Sequence, residues 1–494
     1  MSKFVRENKT FLIILFISVA VRLININMPL LEGTATRQIQ TAMVAKNLFT
    51  NGFNIFYTQV DFLGPGPGYF VIEFPLLNLI VALLYKLCGG VHEWIGRFVS
   101  ISFFTGSAVF LFYLVRKLFE ERTALVALII FSASPLGLIY SRAFMPDFEM
   151  IFFFMGSLFF MFLWSGGDKS RYFWLSAIFA MMAMLSKVQS FCIFIPLLVL
   201  IWQRQRFSFL FRVRSWVYLL IVLIPVVTWY LHAGSVHESN SHAGDYNFQG
   251  MSYWFNPRLF ISPKFYITMF EHGWMQMLTP VGFTLFLFGL FIKTTSRQGT
   301  ILWSWLIGTV VYAIVFCTHM GDPYYNLLFL PITSVFAAVA VKWIWQYTSG
   351  DKVFLQNRPA MILGIILLLV LVGRYAAYAY TVPRGYRHIP SLARTIEQIT
   401  NKNDLLVTSI PDGRATLYYS KRKGWWFQLP GNDPEKTKKA IARLENLQQR
   451  GAKYFVSVRE DFLNRSPDFR DFLRNRYILV KEEPDLYSIF LIKL

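Results

Sequence analysis

Across residues 10–380 the chain repeats one pattern, apolar runs of near-spanning length separated by breaks that are short except at 29–96 and 233–276. The runs lie at 10–28, 97–115, 124–141, 148–165, 172–186, 188–202, 215–232, 277–292, 300–318, 325–345 and 360–380. A helix needs about 17–25 such residues to cross a bilayer. Only helices and closed barrels satisfy their backbone in lipid, and runs of this length are helical. Composition agrees: of 494 residues 55% are hydrophobic and 15% charged, against about 25% charged in an average soluble domain.

A net charge of +20 would point to nucleic acid in a soluble chain. Here the basic residues form short clusters between apolar runs: Lys3/Arg6/Lys9, Arg116/Lys117/Arg122, Lys169/Arg171, Arg204/Arg206/Arg212/Arg214, Lys293/Arg297 and Lys342/Lys352/Arg358. Clusters of that kind mark cytoplasmic loops, so no nucleic-acid partner is expected. All six fall on one side only if residues 70–87, an apolar run broken by Glu73 and Pro75, lie along the membrane surface and do not cross. The expectation is an α-helical polytopic membrane protein with about eleven transmembrane helices plus one interfacial helix. Its N-terminus is cytoplasmic. A transmembrane domain covers 1–380, with a long first outer loop at 29–96, and a soluble domain covers 381–494.

After Arg374 charges become dense and the apolar runs shrink to strand length. Residues 405–410 and 454–458 read as buried strands, and 391–399 and 434–447 as amphipathic helices. Two final runs, 477–480 and 487–492, bracket Glu483-Pro484-Asp485 as a hairpin. The tail is therefore a small α/β domain facing the periplasm or the cell exterior. Its Lys421-Arg422-Lys423-Gly424-Trp425-Trp426 stretch reads either as an anion-binding patch or, on ordinary burial preferences, as a solvated basic turn beside a buried aromatic pair.

Chemistry concentrates on the outer face. Asp147 stands at the start of an apolar helix, where it is either a helix cap or a carboxylate with a catalytic task. The first loop holds Glu32, Arg37, Asp61 and Glu73, and the backbone-dominated Gly64-Pro65-Gly66-Pro67-Gly68. Lys187 interrupts two apolar runs, and a lysine there either snorkels or meets an anion. Arg142 is a further outer cation, and His319 with Tyr324-Tyr325 adds donors and an aromatic shelf. The cysteines, Cys88, Cys192 and Cys317, and the histidines lack metal-ligand spacing. No metal site is assigned; a divalent metal is compatible with the chemistry but not indicated.

In the order of these features the sequence resembles the GT-C-type membrane glycosyltransferases of the protein O-mannosyltransferase and aminoarabinose-transferase superfamily. The resemblance is carried by Glu73-Phe74-Pro75-Leu76, Gly96-Arg97, Arg116-Lys117-Leu118-Phe119, residues 134–142 with Asp147 after them, Leu185-Ser186-Lys187 and Asp322-Pro323-Tyr324-Tyr325. It implies transfer of a sugar from a polyprenyl-phosphate donor to an envelope acceptor (lipid, glycan or protein) at the outer face of the inner cell membrane. The chemistry would be inverting and carboxylate-assisted. Asp147 matches the second-loop aspartate, and Glu32 and Asp61 are the two readings for the first-loop acid. Arg37, Glu73, Arg142, Lys187, His319, Tyr324 and Tyr325 would bind substrate. Where the family's first loop opens on Asp-Glu, this chain has Glu-Gly-Thr-Ala-Thr-Arg-Gln, which leaves the first-loop base open. The competing reading is a transporter or lipid flippase, which would place ionisable residues near the bilayer midplane.

Overall fold

The computed structural model describes residues 8–33, 35–167, 169–239, 254–348, 370–411 and 413–493. The chain forms two compact units. The first comprises Met1–Ile26, Trp94–His232 and Phe248–Tyr380, and the second Asn27–Glu93, Ala233–Asn247 and Thr381–Leu494.

The first unit is helical. Among the described residues six helices are long and apolar enough to cross a membrane, or up to eight if each of two bent pairs forms one span. The chain is thus a multi-pass membrane protein, but the expected count of about eleven is not reproduced. Run 10–28 yields the 15-residue helix Lys9–Leu23 and run 172–186 the 16-residue Arg171–Ser186. Residues 360–369 of run 360–380 lie outside the described residues. Run 124–141 breaks into Glu121–Ala133 and Pro135–Arg142 with a 65° bend. The cause is local, since Pro135 has no N–H to continue the ladder and pushes Ser134 out of helical geometry. The Ser134 hydroxyl then caps the second piece, accepting from Gly137 N–H at 3.0 Å.

Packing in this unit is aromatic. Phe103, Phe110, Phe152, Phe153, Phe160 and Phe179 interlock with neighbouring ring centroids 5.1–6.0 Å apart. Several buried polar groups pair with one another, which lowers the cost of holding them away from water. Ser157 Oγ donates to Ser176 O at 2.9 Å, and Ser176 Oγ lies 3.0 Å from the Tyr218 hydroxyl. Arg22, fully buried, donates to Ser141 Oγ, Ser18 O, Ser18 Oγ and Ser132 O at 2.7–2.9 Å, and stacks 3.6 Å from the Phe104 ring centroid.

The second unit joins the first loop to the tail. The tail carries a five-stranded sheet of β1 (Leu405–Ser409), β2 (Gly424–Phe427), β3 (Ala452–Ser457), β4 (Ile478–Glu483) and β5 (Tyr487–Leu491), in the order β2-β1-β3-β5-β4. β1 pairs in parallel with β2 and β3, while β5 pairs antiparallel with β3 and β4. The expected final hairpin is β4–β5. β2 is a strand where a basic turn was the alternative, and its Trp425 and Phe427 enter a core with Val407, Leu444, Phe455, Phe469 and Phe490. Parallel neighbours need crossovers, which the helices Gly413–Ser420 and Pro434–Gln449 supply.

The first loop contributes the helix Ala35–Asn51 and the 12-residue helix Leu76–Leu87. Twelve residues rise about 18 Å, less than the roughly 30 Å hydrocarbon core. The glycine-proline stretch runs beside β2. Gly64 N–H donates to Gly424 O at 2.7 Å, Gly424 N–H to Asp61 O at 3.0 Å, and Lys423 Nζ to Gly66 O at 2.7 Å. Gly64 has φ +88°, and a Cβ there would stand 2.5 Å from the Trp425 ring, so only glycine fits.

Candidate active site

Asp147 opens the helix Asp147–Ser165 directly after Pro146. Lys187 follows the end of Arg171–Ser186, where the chain turns extended (φ −156°) before the 3-10 turn Val188–Ile193. That break frees the lysine from a helix face and aims it across the bundle. Its Nζ donates to Asp147 Oδ1 at 2.6 Å, with the side chains 5% and 1% exposed. A buried charge needs such a partner, because desolvation of either ion alone is far costlier than the pair.

A shelf of tyrosines covers the pair. Lys187 Nζ lies 5.0 Å from the Tyr324 ring centroid and 5.8 Å from that of Tyr325. The 3-10 segment Pro323–Phe329 sets the shelf, and Tyr312 Oη anchors it by donating to Tyr325 O at 2.8 Å. Asp147, Lys187, Tyr324 and Tyr325 together with Met150, Gln189, Tyr312 and Leu328 line a cavity of about 10 Å³, room for about one water. Asp147 Oδ2 is buried and has no hydrogen-bond partner among the described residues. One carboxylate oxygen is thus held by a cation while the other faces the cavity without a partner among the described residues.

His319 joins the rim. Its Nδ1 lies 2.8 Å from Thr318 Oγ1, and its ring stands 5.1 Å from that of Trp254 and 4.9 Å from that of Tyr325. Burial holds its pKa below the usual histidine value, with Asp322 opposing. Of the expected site residues, then, Asp147, Lys187, His319, Tyr324 and Tyr325 come together. Arg142 has other partners: it donates to Asn25 O at 3.3 Å, and its guanidinium lies 4.1 Å from the Tyr380 ring centroid.

The first-loop residues belong to the second unit. Asp61 accepts from Lys46 Nζ at 2.5 Å and from Asn47 Nδ2 at 3.1 Å. Arg37 and Glu73 form an ion pair at 3.0 Å. Glu32 is buried, and its carbonyl accepts from Ala35 N–H at 2.8 Å. No group of three His, Cys, Asp or Glu is arranged to hold a metal ion among the described residues.

Sequence reasoning passed over Tyr312, Gln189 and Glu149. Glu149 Oε1 accepts from Ser186 Oγ at 2.7 Å, beside the residue that precedes Lys187. The signal available was a second carboxylate two residues beyond Asp147, at a depth where a carboxylate is costly without a partner.

With this geometry in hand, comparison with known proteins gives a consistent picture. Residues 66–232 match the family model described as dolichyl-phosphate-mannose-protein mannosyltransferase. No curated protein matches the sequence. Among solved structures, ArnT from Cupriavidus metallidurans bound to undecaprenyl phosphate superposes with a TM-score of 0.63 at 14% identity, covering 98% of each chain. The same protein in its apo state gives the same values. The Archaeoglobus fulgidus oligosaccharyltransferase in its apo form gives 0.58 at 14% identity, covering 90% of this chain and 69% of that one. The chain is therefore a polytopic membrane protein with the GT-C glycosyltransferase fold, and its residues 66–232 match the dolichyl-phosphate-mannose-protein mannosyltransferase family.

Proposed function

We propose that the protein transfers a sugar, hexosyl or pentosyl, from a polyprenyl-phosphate donor to an envelope acceptor, with inversion at the anomeric carbon. The observation that carries this reading is the buried Asp147, one oxygen bound by Lys187 and the other unpartnered on a cavity beneath Tyr324 and Tyr325. The acceptor hydroxyl attacks the anomeric carbon as the bond from that carbon to the phosphate oxygen breaks. The proton passes to Asp147 Oδ2, and the electron pair leaves with the lipid phosphate. General-base assistance of this kind contributes about 10²–10⁴-fold. Cations beside the leaving phosphate stabilise the charge that develops there, a task assigned to Lys187, with Arg37, Glu73, Arg142, His319 and the tyrosines contributing to substrate binding. Glu32 and Asp61 are the further carboxylates proposed for the acceptor side.

The matched mannosyltransferase family and the likeness to a protein crystallised with undecaprenyl phosphate support this reading. The proposed topology puts the short basic loops in the cytoplasm and the site on the outer face of the inner membrane. The test is sugar release from a labelled polyprenyl-phosphate donor by membranes carrying Asp147→Asn, Glu32→Gln or Asp61→Asn. Wild-type turnover in Asp147→Asn would remove Asp147 from the chemistry.

A further inference from the structure

From Lys169 to His237 the chain contains no Asp or Glu, yet it places Arg204, Arg206, Arg212 and Arg214 within a short stretch. Two of the four have structural work. The guanidiniums of Arg204 and Arg214 lie 4.5 and 5.3 Å from the Trp164 ring centroid, Arg204 donates to Trp164 O, and Arg214 donates to Ser170 Oγ at 3.2 Å. They cover the carbonyl end of the helix Asp147–Ser165, where a cation is favoured. Arg206 and Arg212 are left over. Both are exposed, Arg206 rests 4.7 Å from the Trp202 ring centroid, and neither has an acidic partner among the described residues.

Next to these two lies a groove of about 120 Å³ between the helix Phe194–Gln205, the 3-10 turn Arg206–Phe211 and the helix Val213–Ser239. Leu197, Leu198, Ile201, Leu210, Trp216 and Leu219 form its apolar walls. Of the two hydroxyl-bearing residues that line it, Tyr218 meets Ser176 Oγ at 3.0 Å, while Ser215 has its hydroxyl buried without a hydrogen-bond partner among the described residues. An apolar slot opening beside two cations without acidic partners complements an amphiphile with one tail and one negative head. A soluble anion would leave the slot empty, and a zwitterionic lipid would leave the guanidiniums uncompensated.

We infer that this groove is a binding site for an anionic diacyl phospholipid, one acyl chain in the slot and the phosphate between Arg206 and Arg212. It is separate from the proposed chemistry. None of the residues that line the groove also lines the cavity at Asp147 and Lys187.

The test is native mass spectrometry of the purified full-length protein titrated with phosphatidylglycerol or with phosphatidylcholine of the same acyl chains. Phosphatidylglycerol should be retained preferentially, and the Arg206→Gln/Arg212→Gln double variant should lose that preference by roughly ten- to thirty-fold, the factor expected for two basic residues at a lipid surface. Arg206→Lys/Arg212→Lys, which keeps the charge, should retain most of it. Leu198→Trp, which fills the slot, should lower retention of both lipids. Equal retention of the two lipids by the wild type, an unchanged preference in the Gln variant, or full retention in Leu198→Trp would each overturn the assignment; melting curves identify any variant that fails to fold.

Discussion

Lys187 reaches Asp147 from forty residues away in sequence, and Nζ and Oδ1 meet at 2.6 Å with both side chains buried. The contact ties the start of one helix to the broken end of another, and it fixes which carboxylate oxygen remains available. In the proposed mechanism stability and turnover depend on the same two residues, and substitutions can separate the two effects.

Removing one partner strands the other as a buried charge, which costs about 3–5 kcal/mol, whereas removing both is far milder. Lys187→Met should therefore lower the melting temperature more than Asp147→Asn/Lys187→Met does, and on the proposed mechanism both should lose turnover. Melting of the detergent-solubilised variants measures the difference. Equal destabilisation by the single and double variants would show that the pair is not a buried ion pair in the membrane.

The tyrosine shelf acts on Lys187 through its ring faces, a contribution of about 0.5–2 kcal/mol for a desolvated cation. Tyr324→Phe keeps the face and should leave donor KM within about two-fold, whereas Tyr324→Leu should raise it roughly three- to thirty-fold. Phe and Leu variants of equal KM would assign the residue's effect to its hydroxyl or to packing.

Much of this was legible from residue order. The apolar runs and basic clusters gave the membrane class because spanning length and loop charge are local properties. β1, β3 and the β4–β5 hairpin announced themselves as short apolar runs between polar breaks. β2 did not, because four residues after three basic ones read as a turn until β1 and the first loop supply partners on both sides. Asp147 and Lys187 were each conspicuous as charges beside apolar runs, but their pairing is a tertiary fact that spacing does not encode. Runs were also poorer guides to span number than to class, since Pro135 cuts the run 124–141 into two helices without changing its composition.

The docking of the glycine-proline stretch on β2 rests on Gly64. An alanine there meets both a left-handed backbone and the Trp425 ring, a combination that costs about 1–3 kcal/mol. Gly64→Ala should speed amide exchange at residues 61–66 and in β2, while the strands β4 and β5 stay protected. Adding Trp425→Leu should recover only the steric part, because the positive φ remains. Unchanged exchange in Gly64→Ala would show that the loop is held elsewhere.

His388 gives the second unit a pH dependence. Its Nε2 lies 2.7 Å from Val458 O, a contact in which the ring N–H donates, and Val458 N–H donates in turn to Ser409 Oγ at 2.9 Å, joining the ends of β1 and β3. Burial lowers the imidazole pKa below its ordinary 6.5; the Val458 carbonyl raises it in part, with smaller opposing effects from Arg459 and Asp461. A histidine whose folded pKa is depressed binds fewer protons in the native state than in the unfolded one just below pH 6.5. Its contribution to stability is thus full above that value and is lost as pH falls through the folded pKa. Amide exchange in β1 and β3 of the full-length protein, corrected for intrinsic rates, should rise between about pH 7.5 and pH 5. His388→Gln keeps a neutral donor for Val458 O and should flatten that rise. An equally steep rise in the variant would place the titrating group elsewhere, with Glu460 excluded by sign: burial raises its pKa, so it stabilises at low pH and loses that contribution as pH climbs.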